Sequence, residues 1–140
     1  MNEFGIREDG KSYENRHGAY GLILRAGRVL ILEVEGEFFL PGGGMSAGEN
    51  AESCLRREIM EEIGFNVVVG NLLAEAAQYL FSYREQRYFK KVGAFYICEL
   101  AEKIGPPTDS SHRIIWEYPE AAIEKLSQEF QSWAIQQMAK

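Results

Sequence analysis

At 140 residues the chain is long enough to bury a real core, and one domain spanning residues 1–140 is expected. Its apolar fraction of 46% is ordinary for a globular protein, and its net charge of −6 excludes a global basic field for a nucleic-acid polymer or an acidic membrane. A polyanionic ligand would therefore need local positive charge, from lysines, arginines or a bound metal.

Residues 1–15 are polar and read as an arm or a first edge segment. The opening MNEFGIREDGK has no apolar core of leader length, and no run reaches the ~18 apolar residues of a membrane span. Two cysteines, Cys54 and Cys98, are too few for a disulfide framework, so a reducing, cytoplasmic setting without membrane contact is expected. HGAYGLIL, a short RAG turn and RVLILEVE predict a β-hairpin, with His17 opening its first strand as a structural residue. EGEFFLP adds a short strand ending at Pro41, and Gly42, Gly43 and Gly44 then predict a loop. Helix signals begin near Ala47-Gly48-Glu49 and end at Gly64, a residue type suited to a helix C-terminus.

From Phe65 to Ser82 the chain is rich in Val, Leu and Tyr and predicts one or two strands. SYREQRY reads as a hairpin tip, FKKVGAFYICEL as a further strand, GPPTDSS as a loop and RIIWEY as a short strand. The last stretch, from Pro119, is helical with a break near Ser127; Leu126, Phe130, Trp133 and Met138 are expected to pack onto the sheet. Strands around one long helix, closed by a second, predict an α/β (α+β) fold in which a sheet is sandwiched between helices.

Glu58, Glu61 and Glu62 stand out. At i, i+3, i+4 spacing they share one helical stripe, where like charges cost a few tenths of a kcal/mol per pair. Three carboxylates stacked this way point to a bound cation. Ala51 and Cys54 lie on the same stripe and are small, as if to leave room for metals and phosphates above the helix. Cys54 also reads as a small buried thiol.

The frame around them is Gly43, five residues, Glu49, seven residues, then Arg57-Glu58-Ile59-Met60-Glu61-Glu62-Ile63-Gly64-Phe65. It resembles the Nudix box at all nine constrained positions, a match expected by chance in roughly one chain in ten million. The resemblance implies a Nudix-type α/β/α sandwich with a central mixed sheet. It also implies a hydrolase cutting the phosphoanhydride bond of a nucleoside diphosphate linked to another group, with Mg2+ or Mn2+ as cofactor. By the same resemblance Glu58, Glu61 and Glu62 are metal ligands, joined by the backbone carbonyl of Gly43, while Arg57 orients them and pairs with Glu49. The proton acceptor, Glu61 or another box glutamate or a residue on a later loop, stays open. So does the substrate, among nucleoside triphosphates, dinucleoside polyphosphates, and ADP-ribose or nucleotide sugars. A non-catalytic nucleotide-sensing or interaction module is the rival reading, and a homodimer is consistent with the family.

Outside the box, the aromatic segment around Tyr79 and Tyr83 is a candidate for stacking a base, with Lys91 beside it to meet phosphates. Many Nudix enzymes carry a later-loop glutamate. The matching stretch, Pro107 to Trp116, has none, which leaves Asp109 and His112 as substitutes. Leu80 stands where a proline marks ADP-ribose hydrolases, and Tyr83 falls where a tyrosine marks diadenosine polyphosphate hydrolases.

Overall fold

The computed structural model describes residues 1–139. In chain order the strands and helices are β1 (Asn2–Phe4), β2 (Glu14–Arg25), β3 (Arg28–Val34), β4 (Glu37–Phe39), β5 (Gly42–Gly44), α1 (Ala51–Ile63), β6 (Phe65–Ser82), β7 (Arg87–Lys103), β8 (Arg113–Glu117), α2 (Pro119–Lys125) and α3 (Glu129–Gln137). The main sheet path runs β1-β6-β7-β2-β3-β4, with β5 added to β2 and β8 to β3. Pairing is mixed: β2 runs parallel to β7 and β1 parallel to β6, while the other pairs are antiparallel.

Strand alternation explains the sandwich. Along β2, Ala19 and Ile23 face α1, where they pack with Leu55, Ile59 and Ile63; Tyr20 and Leu22 face the opposite side and pack with Phe130, Ala134 and Ile135 of α3. β3 divides the same way, Leu30 and Leu32 toward α1 and Val29 and Ile31 toward α3. On the α3 side Phe95 stacks on Tyr20 and meets Phe130 edge-on at 5.4 Å. Full burial of each such side chain contributes about 1.5–3 kcal/mol. The expected packing of Leu126, Phe130, Trp133 and Met138 onto the sheet is present.

Two local expectations need correction, the helix start and the glycine run, and a third is narrowed from one or two strands to one. The helix begins at Ala51 rather than near Ala47, because Asn50 caps it: Asn50 Oδ1 accepts from Ser53 N at 2.8 Å, and Asn50 N donates back to Ser53 Oγ at 3.1 Å. Glu49 thereby stays outside the helix. Gly42 to Gly44 form a strand rather than a loop, since they pair antiparallel with Gly18 to Tyr20. Residues 65–82 form one strand, kept continuous across three register shifts against β7. The polar N-terminal segment does supply an edge strand, β1, and the last helix does break, between α2 and α3.

Gly64 closes α1 in the left-handed conformation and seats the following loop. Its carbonyl accepts from Ile104 N at 2.8 Å, and Asp109 N donates to Glu61 O at 2.9 Å. A Cβ on Gly64 would lie 2.1 Å from Gly105 O. Gly27 has the same φ, +76°, with nothing within 4 Å. Both alanine variants pay the left-handed strain, of order 1 kcal/mol, but only Gly64→Ala adds a backbone collision. Urea denaturation should therefore show Gly64→Ala losing at least twice as much stability as Gly27→Ala; equal losses would mean that the 104–109 loop shifts freely.

Candidate active site

The site is organised by one guanidinium. Arg57 Nε and Nη2 grip the two oxygens of Glu49 at 2.6 and 2.9 Å, a bidentate fork that lysine cannot copy. Nη2 also donates to Gly44 O at 3.1 Å, and Nη1 to Glu58 Oε1 at 2.9 Å and Glu61 Oε2 at 3.4 Å. Glu49 reaches this fork because it precedes the helix cap, and Ser46 N–H holds its other side at 2.7 Å. The Arg57 hydrogen bonds, then the Ser46 N–H, hold the Glu49 carboxyl down at about 2.

Glu62 is placed differently. It is 7% exposed, and its Oε1 accepts from Gly42 N at 3.0 Å. Burial pushes its carboxyl well above the usual range, against the Gly42 hydrogen bond and with added repulsion from Glu58 and Glu61. Glu58 is raised too, by burial first, with Arg57 opposing. Gly43 lies between strand and helix, where a Cβ would come within 2.8 Å of the Glu58 carboxylate carbon. Only a residue without a side chain lets the β5 backbone lie this close to Glu58.

Among the described residues, no three acidic, His or Cys side chains converge as a ready metal cage. Arg57 holds Glu58 and Glu61, and Gly42 holds Glu62. The donor set nevertheless fits a hard dication. It comprises carboxylate oxygens beside a backbone carbonyl, two of the carboxylates being desolvated with their charge poorly compensated.

Cys54 does not open space for a ligand, as its position on the stripe suggested. It is fully buried beneath β5 and donates from Sγ to Gly43 O at 3.4 Å. Its small size makes room for the strand. Ala51 is half-buried and packs against the same core cluster. Burial pushes the Cys54 thiol up to about 11, so it stays a donor at neutral pH.

A cavity of about 460 Å3 opens beside the box, lined by Gly42, Gly43, Gly44 and Glu62 at one part and by Tyr20, Leu32, Phe39, Leu40 and Gln131 elsewhere. Lys91 and His112, two of the candidate residues, line it. Lys91 makes no ion pair among the described residues, and burial lowers its pKa. His112 Nε2 lies 3.9 Å from Glu62 Oε2, and its buried Nδ1 has no hydrogen bond, with Asp109 Oδ2 at 3.5 Å. Asp109 itself does not line the cavity; Ser111 N and Oγ hold its Oδ1 at 3.0 and 2.6 Å.

Tyr79 and Tyr83 also lie outside the cavity. Gln78 pairs with Lys91 and Tyr79 with Lys90, so alternation turns Tyr79 to the face opposite Lys91. There its hydroxyl donates to Glu3 at 3.2 Å and its ring meets Tyr13, which ties the N-terminal arm to β6. Tyr83 sits 82% exposed in the turn between β6 and β7. Of the polar side chains that line the cavity, Arg16, Tyr20 and Gln131 escaped the sequence reading, as did its apolar walls. His17, read as structural, lines the cavity as well. A visible signal existed for Gln131, a polar residue within the apolar stripe Phe130, Ala134, Ile135. Arg16 needed the β2–β7 register, which sets it opposite Lys91.

A NUDIX domain model matches residues 15–137. The chain belongs to the Nudix family. Its reaction class is that of the family, pyrophosphohydrolysis at phosphoanhydride bonds. Among curated proteins none matches. Similar solved structures include the E. coli dihydroneopterin triphosphate pyrophosphohydrolase, 19% identical with a TM-score of 0.72, over 91% of this chain and 97% of that one. A NUDIX hydrolase from Nitrosomonas europaea is 14% identical with a TM-score of 0.71, covering 90% and 89%. A MutT NUDIX hydrolase from Burkholderia pseudomallei is 23% identical with a TM-score of 0.66, covering 89% and 98%. At these identities the likeness is one of fold, the mixed sheet between helices.

Two outcomes test the geometry. Gly43→Ala should fold normally yet weaken Mn2+ binding about tenfold in calorimetry, because the new methyl displaces the Glu58 carboxylate; unchanged affinity would remove Glu58 and Gly43 from the site. The Glu49 pKa is depressed on folding, so its stabilisation is present above the unfolded-state pKa near 4.5 and fades as pH falls toward about 2. The stability gap between wild type and Glu49→Gln in urea should therefore shrink over that window, and a constant gap would show that the fork contributes nothing.

Proposed function

We propose that residues 1–140 act as one domain that hydrolyses a phosphoanhydride bond in a nucleoside diphosphate linked to another group, with Mg2+ or Mn2+ held by Glu58, Glu61, Glu62 and the Gly43 carbonyl. The observation that carries this reading is the pair of mostly buried carboxylates, Glu58 and Glu62, set one helical turn apart against the side-chain-free strand β5, with Glu62 and the three glycines lining a cavity. When bound, a divalent cation neutralises diphosphate charge and acidifies a water.

The chain's own residues do the rest. Arg57 fixes the angle of Glu58 and Glu61 while Glu49 fixes Arg57. Glu61, the most exposed of the three glutamates, is placed to accept a proton and pass it to solvent. Lys91 and Arg16 add positive charge to a wall of the cavity and favour a polyanionic ligand. Arg16 is held for this by Glu85 at 2.9 Å and by the Phe89 ring. The cavity has the volume of a small-molecule site, and its apolar walls suit the base of a nucleotide rather than a nucleic-acid polymer.

A hydrolysis screen supplemented with Mg2+ or Mn2+, across nucleoside triphosphates, dinucleoside polyphosphates and nucleotide sugars, tests the reading. Glu58→Gln and Glu62→Gln should each lower turnover at least about a hundredfold on the best substrate, with thermal unfolding near that of wild type. Full turnover in both variants would sink the assignment. Metal-dependent nucleotide binding without product, across the whole panel, would point instead to a non-catalytic sensing module.

A further inference from the structure

We propose that Lys91 receives a second anionic group of the ligand, a carboxylate or phosphate monoester set apart from the diphosphate. The inference rests on the reading above and narrows its substrate class to nucleoside diphosphate derivatives that bear such a group.

Two lysine or arginine side chains line the cavity, Arg16 and Lys91, and only Arg16 is matched. Arg16 lies 2.9 Å from Glu85 and 3.6 Å from Glu14, and Arg87 meets the same two carboxylates at 3.5 and 3.0 Å. Two guanidinium groups and two carboxylates thus close a neutral ring. Lys90, on the opposite face of β7, is matched by Glu3 at 3.1 Å. Lys91 has no such partner. It stands directly opposite Arg16 in the parallel register of β2 and β7, so two like charges share one face. Its Nζ donates to no group among the described residues and is not sealed in the protein, so it opens on the cavity. An ammonium carries three donors, and partial burial without an acceptor costs stability. Burial, then the Arg16 charge, lowers its pKa. A cation kept here against both effects awaits an anion from outside the chain.

The register sets that anion apart from the diphosphate. Glu62 is tied to Gly42, and Gly42 pairs with Tyr20 on β2. Lys91 pairs with Arg16 on the same strand. From Tyr20 to Arg16 the strand rises about 13 Å. Gly18 and Gly44 pair between these levels and put no side chain in the way. A diphosphate held at the box end therefore leaves Lys91 to a group about one sugar or nucleoside farther out. A lysine ammonium is a point charge, which takes either a carboxylate or a phosphate.

Two matched pairs of probes differ in one anionic group: UDP-glucuronate against UDP-glucose for a carboxylate, and coenzyme A against dephospho-coenzyme A for a phosphate monoester. The ratio within each pair would be measured as kcat/KM with Mg2+ and as calorimetric affinity in EDTA. Wild type should favour the more anionic member about tenfold in at least one pair, and that pair names the group. Lys91→Met should bring the ratio near one, Lys91→Arg should keep most of it, and Lys91→Met should unfold at the wild-type temperature or above. Ratios near one in wild type for both pairs, or a ratio that survives Lys91→Met, would overturn the proposal. So would Lys91→Met weakening both members of a pair equally, which would place the lysine on the diphosphate, or a clear drop in its unfolding temperature, which would assign the lysine to the fold. Preferential binding of the more anionic member, with no turnover of any probe and none in the screen above, would support this proposal and overturn the hydrolase reading. Turnover of nucleoside triphosphates with neither binding nor turnover of the four probes would do the reverse.

Discussion

The Arg57 guanidinium is the point through which strand, loop and helix are referred to one another. Three of its nitrogens reach Glu49 before the helix, Glu58 and Glu61 on the helix, and the carbonyl of Gly44 on β5. Each of these groups would otherwise move separately. Two are also carboxylates on one helical face, which repel until a cation stands between them. Arg57 supplies that cation from within the chain, so the acidic stripe can fold without a ligand. Glu62 lies outside the fork, and its burial depends instead on a single backbone N–H from Gly42.

How much of this was legible in the sequence depends on the range of the interaction. The box glutamates, Arg57 with Glu49, and the turn at Gly64 are set by spacings within 22 residues, and the sequence shows them directly. The helix start differs from expectation because Glu49, followed by Glu52, imitates an acidic first turn, while the actual cap needs the Asn50–Ser53 reciprocal pair. Gly42 to Gly44 looked like a loop because a glycine run carries no strand signal; their strand character comes from β2, which is remote in sequence. The cavity walls were least legible. Whether Tyr79 or Lys91 faces the cavity is a matter of parity between β6 and β7, and a pattern rich in aromatics does not reveal parity.

The division of labour in the molecule follows its two faces. The box residues sit on α1, β5 and the segment between them, at the end of the cavity near Glu62. The other cavity walls come from β2, β7, the 104–112 loop and α3. The loop is not independent of the chemistry, since it is hydrogen-bonded to the last turn of α1 at Glu61 and Gly64 and delivers His112 close to Glu62.

β2 serves both faces at once. Ala19 and Ile23 pack toward α1, and Arg16, Tyr20 and Leu22 point toward the cavity and α3, all held by ten consecutive pairings with β7. A slip of one residue would exchange the two sets, turning Tyr20 and Leu22 toward α1 and Ala19 toward α3. Errors in this strand thus cannot yield a stable but inactive molecule, because the same misalignment removes the core. The central strand thus couples core to cavity, because a single register sets both.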